Sequence, residues 1–490
     1  MKKLNFYIMA DNHYFSKKLW VDGPRIEARS HTDQVLLKES PEINEAFFKL
    51  IENDSETDTV VLIGDLINLG EKICHEEFTE RLRKLQQNGK RVLVLTATHD
   101  YNGCGEDENG FVATGYNEND TYHVPCTRRY ELDEIYRPFG RDKADSEYDM
   151  SYSLNVDGYR FILLNDDGNG HTDCGLDDEG NKWLENEFVK AKDNNEPVLL
   201  FTHHPVITPY PVYEAVAPTE MYGRHPILKE MMMKHGVKVV FTGHTHVHTI
   251  RKITDGKNEV FDVGTTSAVS AYGKIRKITL ENGIADITTV DLPEKIDGIP
   301  GGSKQVAESC FGGYYRRLID TAIKDYDAFI KLGHGLIPAD KAKKYRAVIR
   351  PALKAFSSIN MSFAGKVGKK YSELNKAEIK KHKDEKLIDV CFVILDHFFQ
   401  GDTPYTPDTY EHKVIHGALL RGDRIMKSLG LSLSKYINGI DSLWELVEPL
   451  IHNTRTGCDR EIKIKLTDEV TYEKNQKHPC HRRKRKNHQT

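Results

Sequence analysis

The stretch from 239 to 248, Val-Val-Phe-Thr-Gly-His-Thr-His-Val-His, limits what this chain can fold into more than any other. Three apolar residues in a row suit a strand buried on both faces, and Gly243 lets the backbone turn where the strand stops. His244 and His246 then stand at the carboxyl end of that strand. Open α/β sheets keep their ligands at this edge, and neutral imidazole is the commonest metal-binding side chain. Four other apolar runs end in the same kind of residue. Residues 4–10 deliver Asp11-Asn12-His13, and 59–63 run into Gly64-Asp65. Residues 91–95 lead to Thr98-His99-Asp100, and 197–201 lead to His203-His204-Pro205.

Between these runs the pattern is helical. Ser40-Pro41-Glu42 gives an N-cap with proline at the first helical position, opening a helix to about Asn53, and a second helix follows over 76–88. Such strand, helix, strand alternation marks a largely parallel sheet with crossover helices. Residues 14–39 read as a polar loop over the site, and 101–148, rich in Gly, Asn, Asp and Tyr, as a long insertion. A hairpin is expected at 151–155 and 159–164 around Asp157-Gly158. Helices follow at 183–191 and 225–235, and 249–290 alternates with the two-residue period of antiparallel strands.

Residues 293–303 hold two prolines and three glycines and read as a linker. Beyond them come helical patterns at 314–332, 339–357 (kinked or ended by Pro351), 373–400, 407–429 and 433–452. A short hairpin at 461–472 and a basic tail at 477–486 complete the chain. Charge marks the same boundary: residues 1–300 carry 34 Lys and Arg against 51 Asp and Glu, and the remainder 35 against 23. The expected units are a catalytic domain at 1–295, a helical domain at 304–475 and a disordered tail at 476–490.

The 490 residues contain eight cysteines without C-x-x-C spacing, which argues against a disulfide framework and suits a reducing cytoplasm. The first ten residues are too polar for a secretory signal, and no apolar run reaches the length of a membrane span.

Taken together, D-x-H, G-D, x-x-H-D, H-H-P and G-H-x-H, in this order at five strand ends, resemble the calcineurin-like metallophosphoesterase superfamily over residues 5–292. The resemblance implies a four-layer α/β/β/α sandwich. It implies two divalent ions, with Mn, Fe or Zn suited to a His and Asp site that lacks Cys. Asp11, His13 and His246 would hold the first ion, His203 and His244 the second, and Asp65 would bridge them. His99 would protonate the leaving oxygen and Asp100 would order its surroundings. The family usually reads Gly-Asn-His-Asp or Gly-Asn-His-Glu at its third motif, with the Asn oxygen on the second metal. Here Thr98 stands in that place, so the second metal is expected to bind more weakly, with Asn102 a substitute donor from the adjacent loop.

The implied reaction is hydrolysis of a phosphoester by metal-activated hydroxide. The substrate expected first is a small phosphodiester such as a cyclic nucleotide, because residues 401–409, together with 130–153, resemble bacterial metallophosphoesterases with a C-terminal helical domain, some described as cyclic-nucleotide phosphodiesterases. Two other readings stand beside it: a nuclease using the basic tail on nucleic acid, and a weakly catalytic metal-binding regulator. His204 and His248 read as residues packed behind the ligands. Tyr101, Tyr116, Tyr122, Arg128 and Arg129 are candidates for stacking a base or binding phosphate. Thr406, Pro407 and Asp408 read as the start of a helix.

Overall fold

The computed structural model describes residues 2–102, 112–168, 174–210, 213, 218–308, 312–332, 339–435, 440–451 and 459–467. Two sheets face each other. The first has six strands in the order Ile462–Lys465, Ile284–Asp291, Lys274–Glu281, Leu4–Met9, Thr59–Ile63 and Arg91–Leu95. Its last three strands are parallel, with Phe6 opposite Thr59 and Val60 opposite Val92. The second sheet has seven: Thr249–Thr254, Glu259–Gly264, Val239–Thr242, Val198–Thr202, Tyr159–Leu164, Ser151–Val156 and Ser146–Tyr148.

Alternation along each strand assigns its two faces. Phe6, Ile8, Val61 and Leu93 meet Phe161, Leu199, Phe201 and Phe241 between the sheets. Phe6 lies edge-on to Phe161 at 5.2 Å, and Phe201 stacks on Phe241 at 5.2 Å. The opposite face of the first sheet, with Met9, Val60 and Leu62, is covered by Phe47 and Phe48 of the helix Ser40–Asn53 and Phe78 of the helix Lys72–Gln87. Leu184 and Phe188 of Asp178–Asp193 and Leu228 of His225–His235 cover the second sheet. The result is an α/β/β/α sandwich followed by a mainly helical C-terminal region. Both faces of each parallel strand are buried, and this is why those strands read as unbroken apolar runs.

Local structure departs from the sequence expectations where tertiary contacts decide. Residues 14–39 are not merely a polar loop: they include the helix Pro24–Thr32, and Phe15, Leu19, Ile26, Val35 and Leu37 are buried in the core of the first sheet. The helix expected at 183–191 begins at Asp178, because the Asp177 carboxylate accepts from Gly180 N at 2.7 Å and caps it. In the C-terminal region, Thr409 rather than Thr406 caps the helix Tyr410–Ser428. Pro351 lies inside the helix Arg346–Ser358 without ending it. The helix expected over 373–400 is two, Lys376–Lys381 and Leu387–Gln400, and Met361–Gly368 adds one that periodicity did not mark.

The chain's last described strand bears on domain organisation. Within the span expected as a hairpin at 461–472, Ile462–Lys465 returns to the first sheet as an edge strand, with Ile464 opposite Ala285, while 468–472 lie outside the described residues. Just before it, buried Asp459 pairs with both oxygens to Arg251 Nη1 at 2.9 Å and accepts from Ile250 N at 2.9 Å. Arg276, fully buried, donates to the carbonyls of Thr249, Gly264 and Asp459 at 3.1, 2.9 and 2.7 Å. The C-terminal end of the helical region is thereby clamped to the sandwich. The basic tail at 477–486 lies outside the described residues.

Among the described residues Cys74, Cys174 and Cys391 are free thiols and Cys126 is disulfide-bonded. Among the described residues no helix is long and apolar enough to cross a membrane.

Removing one partner of a buried ion pair leaves the other charge unpaired and costs about 3 kcal/mol or more. Asp459→Ala should therefore lower the denaturation free energy by about that amount, whereas Lys463→Ala, at a surface pair, should change it by less than about 1 kcal/mol in the same urea titration.

Candidate active site

All five strand-end motifs converge at one edge of the sandwich. Backbone hydrogen bonds lock their loops together: Asp11 N donates to Gly64 O at 3.1 Å, His13 N to Asp65 O at 3.0 Å, and Gly243 N to His203 O at 2.9 Å. Asp11 spans the two sheets, since its carboxylate accepts from His244 N at 3.0 and 3.1 Å.

Local backbone strain is concentrated here. Asp11, His13, Asp65, His244 and His246 have φ of 51°, 37°, 50°, 65° and 55°. They make up half of the ten non-glycine residues with positive φ among those described. Left-handed backbone in such residues costs roughly 1–3 kcal/mol each and persists where the surroundings over-determine it, as at ligand clamps.

The side chains form two groups. Asp11, His13 and His246 each offer one donor atom within 4.8 Å of the others, and so do Asp65, His203 and His244. In the first group His13 Nε2 and His246 Nε2 are 3.2 Å apart, with Asp11 Oδ1 at 4.0 and 3.4 Å from them. In the second, His203 Nδ1 donates to Ile63 O at 2.8 Å, and its Nε2 lies 3.0 Å from Asp65 Oδ2. Carboxylates this deeply buried need positive charge among them, and a set of Asp and His donors is one that divalent metal ions take. The residues present therefore fit a pair of cations.

Charge states follow the same logic. Burial works against the His203 imidazolium, but Asp65 and then Asp11 outweigh it and hold its pKa well above the ordinary value. Burial opposes the Asp65 carboxylate too, and His203 and His99 hold it well below the carboxylate range. His13 is pushed well down by burial and by nearby His99. Burial, followed by His204, lowers His244 to about 4. A neutral imidazole is the form that binds metal.

His99 sits beside both groups. Its backbone N–H donates to Asp65 Oδ1 at 2.9 Å, and its ring lies edge-on to His13 at 4.9 Å. Its Nδ1 donates to Asn68 O at 2.6 Å, which fixes the orientation of the ring. Buried Asp100 shapes the turn Thr98–Asp100 by accepting from Leu66 N, Ile67 N and Ala97 N at 2.7, 3.1 and 2.8 Å. Thr98 opens that turn and is buried. The Asn102 amide donates to Leu69 O and holds the loop opposite.

Other candidates take structural places. His204 meets Asp166 at 3.1 Å and lies against His244, ring centroids 4.1 Å apart. His248 does not share the direction of His246; it is fully buried, 2.8 Å from Thr289 Oγ1, and its N–H donates to Phe399 O of the helical region at 3.1 Å. Arg129 is bound to Asp149, Asp167 and Asn165, and Tyr116 belongs to the core. Tyr122 is partly exposed on the short strand Thr121–His123. Arg128 precedes the helix Arg129–Tyr136, its N–H donating to Glu131 at 2.9 Å.

Sequence reasoning missed two carboxylates. Glu71, fully buried, accepts from Leu69 N at 2.7 Å and Asn68 Nδ2 at 2.8 Å, and so fixes the residue whose carbonyl orients His99. Its place six residues after Asp65 was a usable signal. Glu220, 2.8 Å from His244 Nε2, stands in no motif at all.

The model of the calcineurin-like phosphoesterase family matches residues 4–248, half of the chain. The chain belongs to that family. It is accordingly a hydrolase acting on phosphoric esters, with a dinuclear metal requirement. Among solved structures it is similar to a dimetal phosphatase from Danio rerio, at 12% identity and a TM-score of 0.41, over 60% of this chain and 99% of that one. It is also similar to a purple acid phosphatase from yellow lupin seeds, at 12% identity and a TM-score of 0.38, over 59% and 52% of the two chains. No curated protein matches the chain.

Gly64 tests how tightly the loops are set. Its φ is +90°, and a Cβ there would lie 2.6 Å from both His203 Nδ1 and the Ala97 methyl. Gly89 has a similar φ of +83° but open space around it. Gly64→Ala should cost about 3 kcal/mol in urea unfolding and Gly89→Ala only about 1 kcal/mol, since the second meets backbone strain alone.

Proposed function

We propose that the chain is a metal-dependent phosphodiesterase whose substrate is a small phosphodiester such as a cyclic nucleotide. The observation that carries the reading is the pair of three-residue donor groups joined through the buried carboxylates of Asp11 and Asp65. In it Asp11, His13 and His246 hold one divalent ion, His203 and His244 the other, and Asp65 lies between them. When bound, the ions supply Lewis acidity, lowering the pKa of a shared water and neutralising charge on the phosphoryl oxygens.

The chain's own residues do the rest. His99 delivers a proton from Nε2 to the departing oxygen, while its Nδ1 hydrogen stays on Asn68 O and keeps the ring aligned. Asp100 and Glu71 position that imidazole from opposite sides through backbone hydrogen bonds. The strained, interlocked loops hold the donors before substrate arrives, so little reorganisation is left for the reaction.

Charge favours a small diester. Arg129 is neutralised by Asp149 and Asp167, and Arg251 by Asp459, so neither offers charge to a phosphate. One singly charged phosphoryl group can be met by two ions and the histidines. A polymer would need further cations along its backbone, and a dianionic monoester more charge at the centre.

Thr98 gives the second ion a neutral hydroxyl where the family usually has an amide oxygen, so the second equivalent binds more weakly than the first. Thr98→Asn should narrow the gap in a calorimetric titration; two equally tight sites in the wild type would contradict this.

Chelator-treated protein should hydrolyse bis-p-nitrophenyl phosphate faster than p-nitrophenyl phosphate once Mn, Fe or Zn is restored. His99→Asn should lower kcat by roughly 10²–10⁴-fold with metal content unchanged, and Asp65→Asn should reduce turnover to background. Faster cleavage of the monoester would overturn the choice of substrate. Full activity in Asp65→Asn would overturn the mechanism.

A further inference from the structure

Glu220 ends the short turn Pro218–Glu220, in a stretch that carries no motif. Its backbone is nonetheless fixed. Met221 and Tyr222 follow it and are each 1% exposed. Tyr222 N donates to Pro205 O at 2.9 Å, and its hydroxyl accepts from Leu176 N at 3.1 Å. From this anchored turn the carboxylate reaches into the site, with Oε2 2.8 Å from His244 Nε2.

That contact settles the chemistry of the ring. An ionised carboxylate only accepts, so Nε2 carries the hydrogen and Nδ1 keeps the lone pair. Rotation is blocked on the other side, where the His204 ring lies 4.1 Å away, tilted 41°. His204 is itself held by Asp166, through its ring at 3.1 Å and its backbone N–H at 2.7 Å. A ring with one nitrogen committed to a carboxylate and one face covered has a single orientation left.

Building on the dinuclear reading above, we propose that Glu220 is a positioning residue for the second metal: it holds His244 as the Nε2–H tautomer, so that Nδ1 is the donor atom. Its negative charge makes that nitrogen more basic, which offsets the poor donor at Thr98. Glu220 acts through the imidazole and stays outside the coordination shell. A carboxylate paired with histidine for local stability alone would leave metal affinity untouched.

The test uses the full chain, stripped with chelator and titrated with Mn²⁺ by calorimetry, with bound metal counted by mass spectrometry after gel filtration. Wild type, Glu220→Ala, Glu220→Gln and His244→Ala are compared, with circular dichroism to verify folding. Glu220→Ala should leave the first equivalent unchanged and weaken the second by about 10–100-fold. Glu220→Gln, which can still accept through its amide oxygen but lacks the charge, should fall between. His244→Ala should lose the second equivalent. If the wild type binds two ions and Glu220→Ala binds both within twofold of it, the role of Glu220 is overturned while the dinuclear centre stands. Equal weakening of both equivalents also overturns it, as an effect on the fold. A wild type that binds fewer than two ions overturns the dinuclear reading and this inference with it.

Discussion

Two carboxylates and five imidazoles brought into one buried space depend on positive charge between them. His203 donates from Nδ1 to Ile63 O and sets its Nε2 3.0 Å from Asp65, and His13 and His246 bring their Nε2 atoms to 3.2 Å. Buried carboxylates in such a cluster need positive charge beside them, from a protonated imidazole or from a cation. The rest of the architecture holds this arrangement in place: five left-handed backbone residues, loops bonded to one another, and a carboxylate, Asp11, that ties the end of one sheet to the end of the other. The sandwich supplies the rigidity. Phe6, Phe161, Phe201 and Phe241 pack the two sheets, and the strain at their ends is offset by that burial.

The helical C-terminal region belongs to this frame as well as to itself. Its own core, around Met361, Val390, Ile394 and Val414, is separate from the core of the sandwich. Yet its chain comes back. Phe399 O receives the His248 N–H two residues beyond His246, and Asp459 enters a buried network with Arg251 and Arg276 before Ile462–Lys465 joins the first sheet. Position at the site and closure of the sheet are thus coupled to the fold of the second half.

Much of this was legible in the residues, for a physical reason. Strands buried on both faces must be apolar throughout, so Thr59–Ile63 and Arg91–Leu95 lie where the sequence puts them, and Asp65 and His99 follow at their ends. The donor groups of the site could be read because each donor follows a strand directly. What escaped depends on contacts between distant segments. Ile26 and Val35 look like loop residues until the first sheet covers them, and Ile462–Lys465 is a strand only because Ile284–Asp291 offers an open edge. His248 continues the alternation of His244 and His246, but the backbone turns at positive φ at both of those residues, so the two-residue period fails. Glu220 carries no signal in sequence because its partner, His244, is 24 residues away and meets it only after the intervening chain has folded back.

Anomalous scattering from crystals equilibrated with Mn²⁺ tests the central claim most directly. Two peaks about 3.5–4 Å apart, one within bonding distance of Asp11, His13 and His246, the other of His203 and His244, with Asp65 touching both, are the expected result. A single peak, or two peaks that do not share Asp65, would contradict it.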